Sequence, residues 1–254
     1  MRSAITFHSK STKKYAEKIA GNYSPSAIFE ITNPPTKDVF NYPPILGCEV
    51  LAVGGGSVID TAKIIYKDRR ITAIPTTAAG ASMTPYATVW LKDKKISVPT
   101  KKPFLRHFEG EIQLPWKVLR STLFDCLSHA IESFWSDDAT PESKSLSIWA
   151  IEMIKEYLDG DGDINVLIKA GNIAGSAIAI TRTNIVHKAS YPLTIEHGID
   201  HGTAVGILLP LVVLSYRDTD LPKLFGFETS KQLTVYLLNL YYHKYPNFIR
   251  QFNK

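Results

Sequence analysis

The chain predicts an α/β domain followed by an all-helical domain. Three observations predict it. Short apolar strands alternate with helical segments as far as residue 75, a glycine run directly follows one of those strands, and long amphipathic patterns take over from Trp116.

Taken in order, residues 3–8 alternate as a short strand, and Thr12 to Ala20 has helical composition ending at Gly21. Ala27 to Thr32 reads as a second strand, closed by Asn33-Pro34-Pro35. Glu49 to Val53 is continuously apolar after its first residue, as buried parallel strands are. Gly54 to Gly56 make a turn, Ser57 to Tyr66 start a helix, and Ile71 to Pro75 is a further strand. This order implies a parallel sheet with helices on its faces. The boundary is expected near Leu114-Pro115, giving domains 1–114 and 115–254. Beyond it, helical patterns run over Leu119 to Trp135, Glu142 to Tyr157, Ile164 to Thr181 and Thr203 to Tyr216, punctuated by Gly160-Asp161-Gly162 and Thr183-Asn184.

With 254 residues, 44% of them hydrophobic and 21% charged, the composition is that of a soluble globular protein with a sizeable core. The net charge of +5 is spread over short pairs such as Lys13-Lys14, Arg69-Arg70, Lys94-Lys95 and Lys101-Lys102. No basic helix or arm stands out, so a nucleic-acid partner is not expected, although a mild positive field favours anionic ligands. Two cysteines, Cys48 and Cys126, make no disulfide framework and point to a reducing cytoplasm. MRSAITFHSK has no apolar core of a secretory signal. Val205 to Leu214, broken by Gly206 and Pro210, is too short to span a bilayer, so no membrane partner is expected either.

The most specific chemistry lies in four residues. Asp125 and His129 stand at i, i+4 and project from one helix face. His187 and His201 follow, 14 residues apart with Pro192 between them. One carboxylate oxygen and three imidazole nitrogens suit iron or zinc and leave room for a substrate oxygen. Singly, each histidine reads better as a satisfied core residue, and Asp125 as an early helix carboxylate.

AVGGGSVIDTAK (52–63), IPTTAAGAS (74–82), DCLSHAIES (125–133) and HKASYPLTIEHGIDHG (187–202) occur in one order and spacing. In this the chain resembles the iron-containing (group III) alcohol dehydrogenases, from about residue 4 to residue 216. The resemblance implies a Rossmann-like nucleotide-binding domain ahead of a helical metal domain, the dehydroquinate synthase-like architecture. It implies Asp125, His129, His187 and His201 as ligands of Fe(2+) or Zn2+. The bound ion would polarise a carbonyl while hydride leaves NAD(H) or NADP(H). Tyr191 stands where many members carry a further histidine, so a proton relay and simple packing are both open; His197 reads as an exposed loop histidine.

By the same resemblance Gly55, Gly56, Ser57 and Asp60 contact the cofactor, Thr76, Thr77 and Ser82 line its loop, and Lys95 lies near the ribose. A glycine turn before a helix presents backbone N–H groups and a helix dipole to a pyrophosphate, although a tight turn needs glycine too. Two departures stand out. Thr76-Thr77-Ala78-Ala79-Gly80-Ala81-Ser82-Met83 replaces the usual TTAGTGSE, adding methyl groups and removing a glutamate. Ser9, beside Lys10, occupies the position where NAD-preferring members carry aspartate, which favours tolerance of NADPH.

Ser190 to Thr194, Thr84 to Trp90, and Glu132 to Ser136 with Thr140 to Ser143 are similar to the branch that includes phosphonoacetaldehyde reductases. A small anionic aldehyde calls for a guanidinium, with Arg120 and Arg182 as candidates and surface pairing as the plainer reading of each. The family's helical domain continues well past HGIDHG, whereas about 40 residues follow Tyr216 here, ending in an aromatic, basic tail. Only about 13 residues separate Pro35 from Glu49, too few for the usual connecting helix. Helices left uncovered point to a homodimer. The alternatives to an alcohol dehydrogenase or aldehyde reductase are a sugar-acid or polyol oxidoreductase of the same superfamily and a truncated, non-catalytic nucleotide- or metal-binding relative.

Overall fold

Strand Glu49–Gly54 occupies the middle of a parallel sheet, as its apolar run demands of a strand covered on both faces. A computed structural model describes residues 2–160, 163–216 and 220–242. Two compact units result, Met1–Glu111 and Ile112–Lys254.

In the first unit, β1 (Ala4–His8), β2 (Ser26–Glu30), β3 (Glu49–Gly54), β4 (Thr72–Pro75) and β7 (Phe104–Leu105) are all parallel, in the order β2-β1-β3-β4-β7. Ala52 stands beside Phe7 on one side and Ala73 on the other. Alternation then divides the core by face. Val50 and Ala52 join Ile5, Phe7 and Ala73 under Val58, Ile59 and Ala62 of α2 (Gly56–Ile65). Leu51 and Val53 join Ala4 and Ile74 under Tyr15, Ala16 and Ile19 of α1 (Lys13–Ala20). The short link between β2 and β3 holds a single 3-10 turn, Lys37–Asn41, where a full crossover helix would otherwise pack. β2 is accordingly exposed along most of its length. An antiparallel hairpin, β5 (Tyr86–Trp90) and β6 (Lys95–Pro99), was not foreseen, nor was the two-residue β7.

The second unit contains α3 (Trp116–Trp135), α4 (Pro141–Asp159), α5 (Ile164–Thr181), α6 (Ile185–His197), α7 (His201–Ser215), α8 (Asp220–Leu224) and α9 (Ser230–Tyr242). Every residue of α3 from Thr122 to Ser133 is buried, the polar Asp125, Ser128, His129, Glu132 and Ser133 among them. α4 starts on a capping box: the Ser143 N–H donates to Thr140 Oγ1, and the Ser143 hydroxyl lies within reach of the Thr140 N–H. α5, with 18 residues, is long and apolar enough by composition to cross a membrane. Its Leu167, Ala170, Ala174 and Ala177 are fully buried, the signature of a core helix. α6 and α9 go beyond the expected elements. α6 carries Pro192 inside, and α9 falls in a stretch given no element, reaching the first two residues of the aromatic, basic tail. Residues 243–254 of that tail, and Asp161-Gly162 of the Gly160–Gly162 break, lie outside the described residues.

Candidate metal centre

Three helices bring the four ligand candidates together. α3 supplies Asp125 and His129 one turn apart. α6 supplies His187 in its first turn, and α7 begins with His201 just after Asp200. Glycine lets α7 approach. A Cβ on Gly202 would lie 2.4 Å from the Ser121 carbonyl oxygen of α3. One on Gly206 would meet the Tyr241 ring at 2.6 Å and the Phe124 Cβ at 3.1 Å. Ser121 Oγ also donates to Asp200 Oδ1 at 2.7 Å, tying the start of α7 to α3.

All three imidazoles turn Nε2 toward one oxygen. From Asp125 Oδ1 the distances are 3.4 Å to His187, 3.7 Å to His129 and 3.9 Å to His201. Donors around a tetrahedral cation with bonds of about 2.0–2.1 Å stand about 3.4 Å apart, so the three nitrogens approach Asp125 Oδ1 at or slightly beyond that spacing, although His129 stands outside the mutually close group of three. Asp125 Oδ1 and His187 Nε2 are buried without a hydrogen-bond partner, which a cation between them would remedy. Asp125, His187 and His201 donors all lie within 4.8 Å of one another. The residues present therefore fit a divalent ion of the iron or zinc type. His201 is the open side of the group, its side chain 27% exposed, against 2% for His187.

Electrostatics in the metal-free chain follow from this crowding. Burial raises the Asp125 carboxyl, but His129, His187 and His201 outweigh it and hold it well below the ordinary carboxylate range. Burial lowers His187, yet the carboxylates of Glu132 and Asp125 outweigh it and push it up to about 10.

Two residues behind the ligands were missed by the sequence reading. Glu132 is wholly buried; its Oε1 accepts the Val186 N–H at 2.7 Å, and its Oε2 meets His187 Nδ1. Ser190 donates its hydroxyl proton to the His187 carbonyl at 2.8 Å. Its oxygen can then only accept from His201 Nδ1, 3.3 Å away, which leaves Nε2 of His201 as the basic nitrogen. Glu132 was legible in principle, since 125, 129 and 132 form one i, i+4, i+7 stripe.

Other candidates fall around this group. Tyr191, half-buried on α6, has its ring centroid 6.0 Å from that of His201. His197 is exposed, as expected, but ends a helix rather than sitting in a loop; Gly198 at φ 64° terminates α6 there. The Arg120 guanidinium lies 4.7 Å over the Tyr241 ring and donates to the Tyr241 carbonyl at 3.4 Å. Arg182 is exposed and follows α5 with φ 65°.

In the first unit, Gly55 caps α2 at its N-terminus, with Gly56 as the first helical residue and Ser57 exposed in the first turn. A Cβ on Gly55 would touch Thr77 Oγ1 at 3.0 Å, so that glycine is needed for the close approach of the two loops. A Cβ on Gly56 would stand 3.6 Å from the Ala79 methyl and 3.9 Å from that of Ala81. The extra methyl groups thus do face the start of α2. Thr76 is buried with Oγ1 lacking a hydrogen-bond partner, and Ser82 is buried in the 3-10 turn Ala81–Met83. The Asp60 carboxylate turns inward, accepting the Thr88 N–H at 2.9 Å and Lys63 Nζ at 3.2 Å. Lys63 Nζ also donates to the carbonyls of Ala81, at 2.9 Å, and Tyr86, and stands 3.1 Å from Thr84 Oγ1. Lys95, on β6, lies close enough to act on Asp60 through its charge. Ser9 caps the 3-10 turn Lys10–Thr12 after β1.

Comparisons with known proteins agree with this geometry. The profile described as Fe-containing alcohol dehydrogenase family, C-terminal, matches residues 120–231 and so spans all four ligand candidates. Phosphonoacetaldehyde reductase of Streptomyces viridochromogenes is 32% identical over 200 residues, covering 63% of this chain and 51% of the relative. 4-Hydroxybutyrate dehydrogenase of Clostridium kluyveri is 27% identical over 203 residues, covering 66% and 55%. The chain thus spans about half the length of the curated relatives it matches. The iron-containing alcohol dehydrogenase of Thermotoga maritima superposes with a TM-score of 0.80 at 27% identity, over 96% of this chain and 80% of that one.

Proposed function

We propose that this chain, whose residues 120–231 match the C-terminal domain of the iron-containing alcohol dehydrogenase family, is a metal-dependent NAD(P)H alcohol dehydrogenase or aldehyde reductase. A phosphonoacetaldehyde-like small anionic aldehyde is its substrate class. The observation that carries this reading is the convergence of three Nε2 atoms, 3.4–3.9 Å away, on Asp125 Oδ1. When bound, the cation supplies Lewis acidity to a carbonyl oxygen.

The chain's own residues do the rest. Asp125, His129, His187 and His201 hold the ion, with the partly open His201 marking the side from which a substrate enters. Tyr191, whose ring centroid is 6.0 Å from that of His201, would pass a proton toward that side. Gly55, Gly56 and Ser57 offer the N-terminus of α2 to a pyrophosphate. Thr76, Thr77 and Ser82 line the neighbouring loop, and Asp60 with Lys95 flank it. Ser9 in place of an acid leaves NADP(H) acceptable beside NAD(H). Two relatives are named for small anionic compounds, which supports an anionic substrate. Arg182 and Arg120 remain the candidate guanidinium groups for it, Arg120 being engaged with Tyr241.

A second reading has its own observation. Leu211 and Leu214 of the largely apolar α7 are more than half exposed, which suits a non-catalytic metal- or nucleotide-binding relative that offers this face to a partner. A homodimer burying that face answers this point, and sedimentation tests it.

The experiment is metal analysis of anaerobically purified protein and of His201→Ala, with NADPH and NADH oxidation assayed on phosphonoacetaldehyde and neutral aldehydes. Near-stoichiometric iron or zinc, lost in the variant, with turnover favouring the anionic aldehyde, is the expected result. Folded protein that takes up no metal on reconstitution overturns the dehydrogenase reading; metal and nucleotide binding without turnover selects the second one.

A further inference from the structure

The geometry assigns Glu132 the role of positioning residue for the metal centre: its carboxylate fixes which nitrogen of His187 faces the ion and anchors the helix that carries it. This rests on the metal reading above and goes beyond the four ligands.

The argument starts from α6. The first N–H groups of a helix have no partner within it, and Asn184, at the N-cap, makes no side-chain cap. Glu132 reaches across from α3 instead. One carboxylate oxygen accepts the Val186 N–H at 2.7 Å, with the His187 N–H at 3.4 Å from the same atom. A negative charge at this end also suits the helix dipole. The other oxygen meets His187 Nδ1, and an ionised carboxylate only accepts, so Nδ1 must carry its proton. Once the ring gives up its second proton, its lone pair is thereby left on Nε2, the atom that faces Asp125. Ser128 Oγ, 3.5 Å from the same Nδ1, is too distant to take over the task.

Glu132 is wholly buried, as costly a place for a carboxylate as any in the chain, and packing alone would be served by an apolar side chain. The two helices it joins bring three of the four donors: Asp125 and His129 lie on the same face of α3, and His187 on α6. Carboxylates behind ligating histidines raise the basicity of the ring and hold its plane, and their loss costs about 10–100-fold in metal affinity.

The test is cobalt(II) binding to the full chain, followed by visible absorption with a competing chelator, for wild type, Glu132→Gln and Ser133→Ala. Glutamine retains an oxygen for Val186 but opposes Nδ1 with an amide, which removes the charge and disfavours the binding tautomer. Ser133 is the control: it is buried beside Glu132 and bonded to Thr181 at 3.0 Å, but touches no ligand. The expected result is cobalt affinity about 10–100-fold weaker in Glu132→Gln and unchanged in Ser133→Ala. Affinity within about twofold of wild type in Glu132→Gln, or an equal loss in both variants, overturns the assignment. Wild-type chain that binds no cobalt overturns the metal reading itself, and this role with it. If Glu132→Gln does not fold, zinc-loaded wild type decides by NMR: an exchange-protected Nδ1–H proton on His187 is expected, and its absence overturns the assignment.

Discussion

The Asp125 group of the helical unit and the Lys63 group of the sheet unit treat buried polar atoms in opposite ways. Around Asp125 the chain collects donors and leaves some of them unanswered: Asp125 Oδ1 and His187 Nε2 face each other at 3.4 Å without a hydrogen bond. Around Lys63 it answers everything internally, with Asp60 and the carbonyls of Ala81 and Tyr86 converging on one ammonium. The first arrangement makes sense as a receptor for an ion. The second is a staple between α2 and the loop that follows β4, and what it leaves for a ligand is backbone: the glycine turn and the start of α2.

The largest expected effect breaks the receptor. In Asp125→Asn the central charge is gone while the shape remains, so metal affinity should fall by more than the roughly 100-fold that an outer partner costs. Chelator competition on the intact chain measures it. Retained stoichiometric metal would mean that the histidines alone form the site and that the comparison with the staple is drawn wrongly.

Breaking the staple should be felt as stability. Lys63→Met strands Asp60 as an unpaired buried carboxylate, and removal of one partner from such a pair costs about 3–5 kcal/mol. Burial already pulls the Lys63 pKa down, and Asp60 pulls it back, so the pair stands or falls together. Chemical denaturation should show the loss in Lys63→Met and a partial recovery in the double variant with Asp60→Asn. Metal affinity should remain at the wild-type value, because the four ligand candidates all lie in Ile112–Lys254.

How much of this could be read from the chain alone follows the same division. Side-chain chemistry shows in residue identity: Asp125 and His129 at i, i+4 marked one face of α3, and Gly54-Gly55-Gly56 marked the turn after β3. What depends on tertiary distance did not show. The hairpin of β5 and β6 has Lys92-Asp93 near its turn and mixed strands that alternate weakly, so nothing local announced it. α6 was hidden by Pro192, which its neighbours tolerate. Asp60 was read through family resemblance as contacting the cofactor; its bond to the Thr88 N–H, 28 residues on, is a tertiary distance that no local pattern carries.

The pH dependence of metal uptake sharpens the receptor side. Burial works against the imidazolium of His187, but Glu132 and Asp125 raise it to about 10 from its ordinary value of 6.5. Below about 10 the metal-free ring is therefore protonated, and an incoming cation must displace that proton. Affinity should rise with pH by about tenfold per unit for each proton released, and keep rising past pH 7 instead of levelling there. Titrations of zinc binding between pH 6 and 9 would show it; a plateau above neutrality would mean that His187 is an ordinary histidine.

The smallest expected effect separates two ligands within the site. His187 leans on a carboxylate, His201 on the hydroxyl of Ser190 at 3.3 Å. A long, neutral hydrogen bond contributes about 0.5–1.5 kcal/mol, so Ser190→Ala should weaken metal binding by about two- to tenfold. Because His201 is partly exposed, water can replace the lost acceptor, which puts the effect toward the lower end. Charge-assisted contacts are about twice as strong as neutral ones, so Glu132→Gln should exceed Ser190→Ala in the same cobalt titration. The reverse order would mean that the open ligand, not the buried one, sets the affinity, and that the site is organised from its solvent side inward.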